Sequence, residues 1–230
     1  ALALLGACTL PEERGFSIDA IHVDATLRPD GTLEVSERVT YTFTGADDQP
    51  FTVGTRDFEP TTDAPAGTIT SIAAYDSDGD QLATLVYTPS LFEWDIAPAR
   101  SGTYTYELRY EIVGGVRVGS DVVELYRKWV GTTSPAVERW SAEITVPSGE
   151  GEILVWAHGP LDGVIDRDDP EVTAEAPDVP AGQFVETRVA VPVERFELSP
   201  GPTELLPRIL AEEERWADEA NAERDRVERR

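Results

Sequence analysis

From Tyr104 to Ile112 the even positions are Tyr104, Tyr106, Leu108, Tyr110 and Ile112, and the odd ones between them are Thr105, Glu107, Arg109 and Glu111. Such unbroken period-two alternation places the bulky side chains on one face of a pleated strand and the charges on the other. A helix would scatter the rings around its circumference. A strand of this kind needs an apolar layer to lie against, so the chain must supply other strands with matching faces. Gly114, Gly115 and Gly119 interrupt the pattern, Asp121 to Val130 resumes it less regularly, and Trp140, Ala142, Ile144 and Val146 alternate until Pro147.

The same period recurs on both sides. Ile21, Val23, Ala25 and Leu27 share a face, Pro29-Asp30-Gly31 turns the chain, and Leu33, Val35, Val39, Tyr41 and Phe43 share the face of the return strand. This predicts a long β-hairpin. Gly45 to Pro65 reads as loop-rich, with an apolar patch at Phe51, Val53 and Phe58. Gly67 to Tyr75 and Gln81 to Tyr87 read as a second hairpin, and Leu91 to Ile96 as a short strand. Ile153 to Ala157 is a continuous apolar run suited to a strand covered on both faces. Leu161 to Pro180 reads as loop with one weak strand, and Val185 to Val193 as a last strand that Pro192 assigns to a sheet edge.

Ser199-Pro200-Gly201-Pro202 is a break, after which Leu206, Ile209, Leu210, Trp216, Ala217, Ala220 and Val227 fall near one helical stripe. Glu212, Glu213 and Glu214 stand toward the start of this helix and Arg224, Arg226, Arg229 and Arg230 toward its end, as suits the helix dipole. The expectation is a mainly β protein, an antiparallel β-sandwich of immunoglobulin-like architecture, as one large or two small sandwiches, followed by a C-terminal α-helix. Its divisions are a signal-peptide remnant and linker at 1–15, the sandwich at 16–198, the break at 199–202 and the charged helix at 203–230.

Charge narrows the partners. The formal net charge is −25, and the tail from Thr203 holds six arginines and nine acids, so most of the negative charge belongs to the β body. Such a surface repels phosphate backbones, which argues against nucleic-acid binding. A single cysteine excludes an internal disulfide, and no Cys/His cluster offers a zinc site. That cysteine, Cys8, ends Leu5-Gly6-Ala7-Cys8, which resembles the lipobox of bacterial lipoproteins. The apolar run Ala1 to Ala7 before it is too short to span a bilayer and resembles the end of a secretory signal peptide. The chain contains no methionine, as expected of a fragment or a processed product.

Candidate chemistry is sparse. Asp76, Asp78 and Asp80 have the spacing of the first three ligands of an EF-hand loop, but Gln81 stands where its glycine would be and Tyr87 where its bidentate glutamate would be. A plain Asp-Gly turn is the simpler reading. Asp162, Asp166, Asp168 and Asp169 crowd one segment and could supply paired carboxylates for hydrolysis. His22 falls on the polar face of the first strand. His158 ends the apolar run with no serine, cysteine or acid pattern beside it. No GxSxG, HExxH, P-loop or GxGxxG motif is present.

The hairpin IDAIHVDATLRPDGTLEVSERVTYTF, the segments FTVGTRDF and GTYTYELRYEIVGGV, and DVVELYRKWVG followed by ERWSAEITVP together resemble a known family. It is the extracytoplasmic N-terminal domain of predicted bacterial membrane proteins catalogued as domain of unknown function 2207. The resemblance covers roughly Ser17 to Val193, and the tail ILAEEERWADEANAERDR is similar to the segment that leads into the family's first membrane span. Leu125-Tyr126-Arg127-Lys128 departs from the family pattern Leu-Tyr-Trp-Asn. The resemblance implies a signal peptide, an extracytoplasmic β-rich domain and membrane helices downstream, and brings no catalytic residues. The expected function is a non-catalytic module of a membrane-anchored envelope protein that binds or scaffolds another envelope protein or polymer without a cofactor. The alternative is a carboxylate-dependent hydrolase acting on an envelope substrate.

Overall fold

The computed structural model describes residues 13–228; the apolar run at 1–7, Cys8, Arg229 and Arg230 lie outside the described residues. Strands β1 (Gly15–Leu27) and β2 (Leu33–Thr44) form the expected hairpin. Its turn closes through Gly31 N–H to the Arg28 carbonyl at 2.9 Å, with Gly31 at φ +80°, a conformation that favours glycine. The strand that opened the argument, β8 (Gly102–Val113), pairs antiparallel with β2, Tyr110 opposite Val35 and Ile112 opposite Leu33.

Around this centre an eight-stranded sheet is completed by β4 (Thr68–Tyr75), β5 (Gln81–Leu82), β11 (Val137–Thr145), β13 (Val164–Asp168) and β14 (Glu171–Val179). Its order is β13-β14-β11-β1-β2-β8-β4-β5. One pair, β1 with β11, runs parallel, with Ile21 opposite Trp140; the other pairs are antiparallel. The polar face is laced across the strands: Thr40 Oγ1 to Thr105 Oγ1 at 2.9 Å, and the Ser36 hydroxyl to Glu107 at 2.6 Å. His22 belongs to this ladder, 2.7 Å from Ser141 Oγ and 3.1 Å from Asp24. The other face supplies the core.

Two smaller sheets cover that core. One, of three strands, contains β3 (Phe51–Asp57), β6 (Thr84–Thr88) and β7 (Leu91–Ala99), with β7 in the middle. The other, of four strands, has the order β12 (Leu154–His158), β15 (Val185–Pro192), β10 (Val122–Val130), β9 (Val116–Val118). Buried apolar residues from all three sheets form one continuous cluster. Helix α1 (Leu206–Glu228) lies on the outer face of the four-stranded sheet, where Leu205 and Ile209 pack on Val122 and Ala190.

Several local expectations are corrected. The loop-rich stretch holds β3, and Val53 of its apolar patch is exposed while Phe58 is buried. Only Gln81 and Leu82 return along β4; Thr84 to Thr88 leave to pair with β7 in another sheet. The segment 161–180 is a two-strand hairpin, missed because alanines occupy the inward positions Ala174 and Ala176 of β14. Strand β15 is interior, not an edge: Pro192 is its last residue, so its missing N–H costs the ladder nothing within the strand. The apolar run of β12 is covered on both faces as expected, Val155 on the core and Leu154 and Trp156 against α1. No helix among the described residues is long and apolar enough to cross a membrane.

Candidate functional site

Strand alternation sends Val185, Thr187, Val189 and Val191 of β15 into the core, and Glu186, Arg188 and Ala190 to the outer face of the four-stranded sheet. Register places Arg188 between Tyr126 of β10 and Trp156 of β12, and Glu186 between Lys128 and His158. An outer face this charged would ordinarily be solvated. Here α1 covers it, with Leu205, Ile209, Glu213, Trp216 and Ala220 at helical spacing of three and four along the covering stripe. Leu210 and Ala217, expected on that stripe, are exposed.

The covered charges are paired. Arg188, 1% exposed, donates from Nε to Glu124 at 2.7 Å, from Nη1 to Glu213 at 2.9 Å and from Nη2 to Glu212 at 2.7 Å. Its guanidinium also lies 4.9 Å from the Tyr126 ring and 5.7 Å from that of Trp216. Burial works against its charge, but the hydrogen bonds to Glu213 and Glu212 and the charge of Glu124 outweigh it and hold its pKa above the ordinary arginine value. His158 Nε2 stands 2.8 Å from Glu213 Oε2, and the Tyr126 hydroxyl donates to Glu186 at 2.9 Å. Burial, reinforced by Glu186, raises the Tyr126 pKa. The helix start is tied down from elsewhere: Asp121, before β10, accepts from the Leu205 and Leu206 amides at 2.8 and 3.0 Å. The first turn of α1 has no acid of its own, so the expected dipole role of Glu212 and Glu213 is replaced by pairing with Arg188.

A cleft of about 550 Å³ opens beside this cluster, between the outer half of α1, the β12–β13 connection and β14. His158 and Glu186 line it, together with Trp216, Phe184, Glu175 of β14 and Glu219 of α1. Glu219 is exposed and carries no ion pair among the described residues, whereas Glu175 alternates with the inward Ala174 and Ala176 and so projects with Ser141 on the polar face of the large sheet. Trp140, 2% exposed, also borders the cleft, and its indole N–H is buried without a hydrogen-bond partner among the described residues. The cleft therefore offers the Glu219 carboxylate beside aromatic faces, an arrangement that favours a cationic group.

The residues singled out from the sequence lie differently. His158 was expected to lack an acid and has one, brought by a helix 55 positions further along the chain. None of Asp162, Asp166, Asp168 and Asp169 lines the cleft: Asp169 makes two bonds to Arg195, at 2.9 and 2.7 Å, and Asp166 accepts from the Arg167 amide. In the Asp76–Asp80 turn, Asp76 Oδ1 accepts from the Asp78 and Asp80 amides at 3.0 and 2.9 Å. Among the described residues no three His, Cys, Asp or Glu side chains stand close enough together to share a metal ion.

Residues 17–191 match the family described as the N-terminal domain of predicted membrane protein DUF2207. The chain belongs to this family. No curated protein sequence matches it. Among solved structures, the DUF2207 domain is similar to native leukotriene A4 hydrolase from Saccharomyces cerevisiae, with a TM-score of 0.51 at 8% identity over 75% of this chain and 29% of that one. The bestatin complex of the yeast enzyme gives a TM-score of 0.50 at 7% identity, over 80% and 31% of the two chains. The M1 zinc metallopeptidase from Deinococcus radiodurans gives 0.45 at 14% identity, over 76% of this chain and 42% of that one. The chain thus spans about two-fifths of that peptidase, and at these identities the likeness concerns the fold alone.

Proposed function

We propose that this domain is a non-catalytic, extracytoplasmic module of a membrane-anchored envelope protein, and that it binds another envelope component through a basic group held in the helix-side cleft. The observation that carries the reading is the placement of Glu219, which has no ion pair among the described residues, on the wall of a cleft lined by Trp216 and Phe184. Membership of a predicted membrane protein family supports attachment, through helices downstream or through a lipid on Cys8. The −25 charge would steer a basic partner toward the domain.

Titration with a lysine-bearing peptide and its side-chain-acetylated counterpart tests the binding site. Only the charged peptide should bind, more weakly as salt rises, and the variant Glu219→Gln should lose it. Equal binding of both peptides, or none, removes the reading. Protease accessibility of the domain in intact cells tests the address; protection in cells with an intact envelope made permeable only at the outer layer would refute it.

A carboxylate-dependent hydrolase is the second reading, favoured by the meeting of His158, Glu186 and Glu213 at one end of the cleft. Turnover of envelope glycans, peptides or esters that Glu186→Gln abolishes would establish it in place of the first.

A further inference from the structure

The buried arginines Arg56, Arg188 and Arg195 each meet a carboxylate. Arg127 does not. It follows Val123 and Leu125 on the core-facing side of β10, where both are buried. Among the described residues its Nε is buried without a hydrogen-bond partner, its guanidinium lies beside the Tyr110 hydroxyl, and its Nη1 reaches the Ala66 carbonyl only at 3.5 Å, the outer limit of a hydrogen bond. Glu37, whose charge reaches it, is already bonded by Arg56 and by the Tyr110 hydroxyl. One carboxylate therefore faces two guanidinium groups, bonded directly by Arg56 and felt by the half-buried Arg127 only at a distance. Leaving a cation in that state is costly.

Arg127 borders a cleft of about 250 Å³ between the β3–β4 connection and the β6–β7 turn. The walls are apolar: Phe58, Pro60, Ile69, Tyr87 and Pro89. Glu59 also borders it, but its carboxylate is committed to Lys128 and to the Thr132 amide and hydroxyl.

We propose that this second cleft binds the carboxylate of a small organic acid with an apolar substituent, the carboxylate on Arg127 and the hydrocarbon against Phe58, Ile69 and Tyr87. A carboxylate suits a single planar guanidinium, and apolar walls offer nothing to the remaining oxygens of a phosphate. The volume is that of about eight waters at ~30 Å³ each, room for an acid the size of hexanoate. This site is separate from the helix-side cleft, so its test and that of the proposed function fail independently.

Amide NMR titrations of the chain with hexanoate, with hexanamide and with inorganic phosphate decide it. Hexanoate should give saturable shifts at Gly67, Thr68 and Ser90, and the other two should not. Arg127→Met should weaken hexanoate roughly tenfold or more, as expected for a lost charge-assisted bond. The same variant should melt no lower than the parent, because it removes an uncompensated charge, which also shows that the loss of binding is not unfolding. No saturable shifts with hexanoate, equal response to hexanamide, preference for phosphate, or unchanged binding by Arg127→Met would each overturn the proposal.

Discussion

Arg188 on β15 and Glu213 on α1 meet at 2.9 Å, Nη1 to Oε1, with the guanidinium 1% and the carboxylate 6% exposed. This contact joins the helix to the sheet at a point where an apolar pair would ordinarily stand. The desolvation of the charges is offset only because Arg188 also bonds Glu124 and Glu212, and Glu213 also meets His158.

Removing Arg188 should therefore be expensive. Arg188→Met is expected to destabilise the domain by about 3 kcal/mol or more, since it strands Glu213 and Glu124 with weaker partners. Urea unfolding with an unchanged m-value measures it. Coupling to Glu213→Gln in a double-mutant cycle should be clearly favourable; additive effects would mean that α1 docks by its apolar residues alone.

Asp121 gives a milder effect of the same kind. It takes the place of an N-cap residue although it stands more than eighty positions before the helix. Asp121→Ala should cost about 1–2 kcal/mol, the upper range for a lost cap, because it frees the first helix amide, Leu206, and the Leu205 amide just before it. Hydrogen exchange at Ile209 should accelerate while exchange at Leu108 stays slow. Equal acceleration at both would show that the helix does not open separately.

How much of this could be read from the chain depends on where the partner of each residue lies. The alternation at β8 and the β1–β2 hairpin need only neighbouring positions, and both form as read. The charged outer face of β10 and β15 looks like any solvated face until a helix is laid over it, and nothing local announces that. One signal was present: Glu213 stands four residues after Ile209 and three before Trp216, in the middle of the covering stripe. An acid at a stripe position implies a buried cation opposite. Similarly Glu37 sits between Val35 and Val39 on the inward face of β2, and it is 0% exposed against Arg56. Both pairs were concealed by sequence separation, not by ambiguous chemistry.

Acid should unfold the domain through a defined set of carboxyls. The hydrogen bond from Arg109 lowers the Glu107 pKa and that from Arg195 lowers Asp169. At Glu59 and Asp121 burial pushes upward but is outweighed, by the bonds from Lys128 and Thr132 and by the backbone amides of Leu205, Leu206 and Val122. A folded pKa below the unfolded one contributes stability that is complete above the ordinary values, 4.5 for Glu and 3.8 for Asp, and is lost as pH falls through the folded value. Self-repulsion of the −25 chain works the other way, because it is relieved as pH falls toward the pI of about 4.2. The urea midpoint should thus hold level or rise slightly down to about pH 5 and fall below about pH 4.5. A midpoint still rising well below the pI would show that repulsion, and not these four carboxyls, governs acid stability.

Gly54 and Trp94 provide the sharpest steric test. They are opposite one another in the β3–β7 pair, and a Cβ on Gly54 would lie 2.2 Å from Trp94 Cε2. The indole cannot move aside: it is 0% exposed, stacked on Phe92 with centroids 5.4 Å apart and set edge-on to Tyr106 at 6.0 Å. Overpacking of this kind costs about 1–3 kcal/mol and more where backbone is the group that must yield, so Gly54→Ala should fall at or above the top of that range. Trp94→Leu alone should also destabilise, by about 2–5 kcal/mol, through the cavity it leaves. In combination the two should cost less than their sum, because the smaller side chain vacates the space the methyl needs. Urea midpoints of the two single variants and the double variant test this. A sum that is simply additive would mean that the glycine is required by the backbone of β3 and not by the ring lying across it.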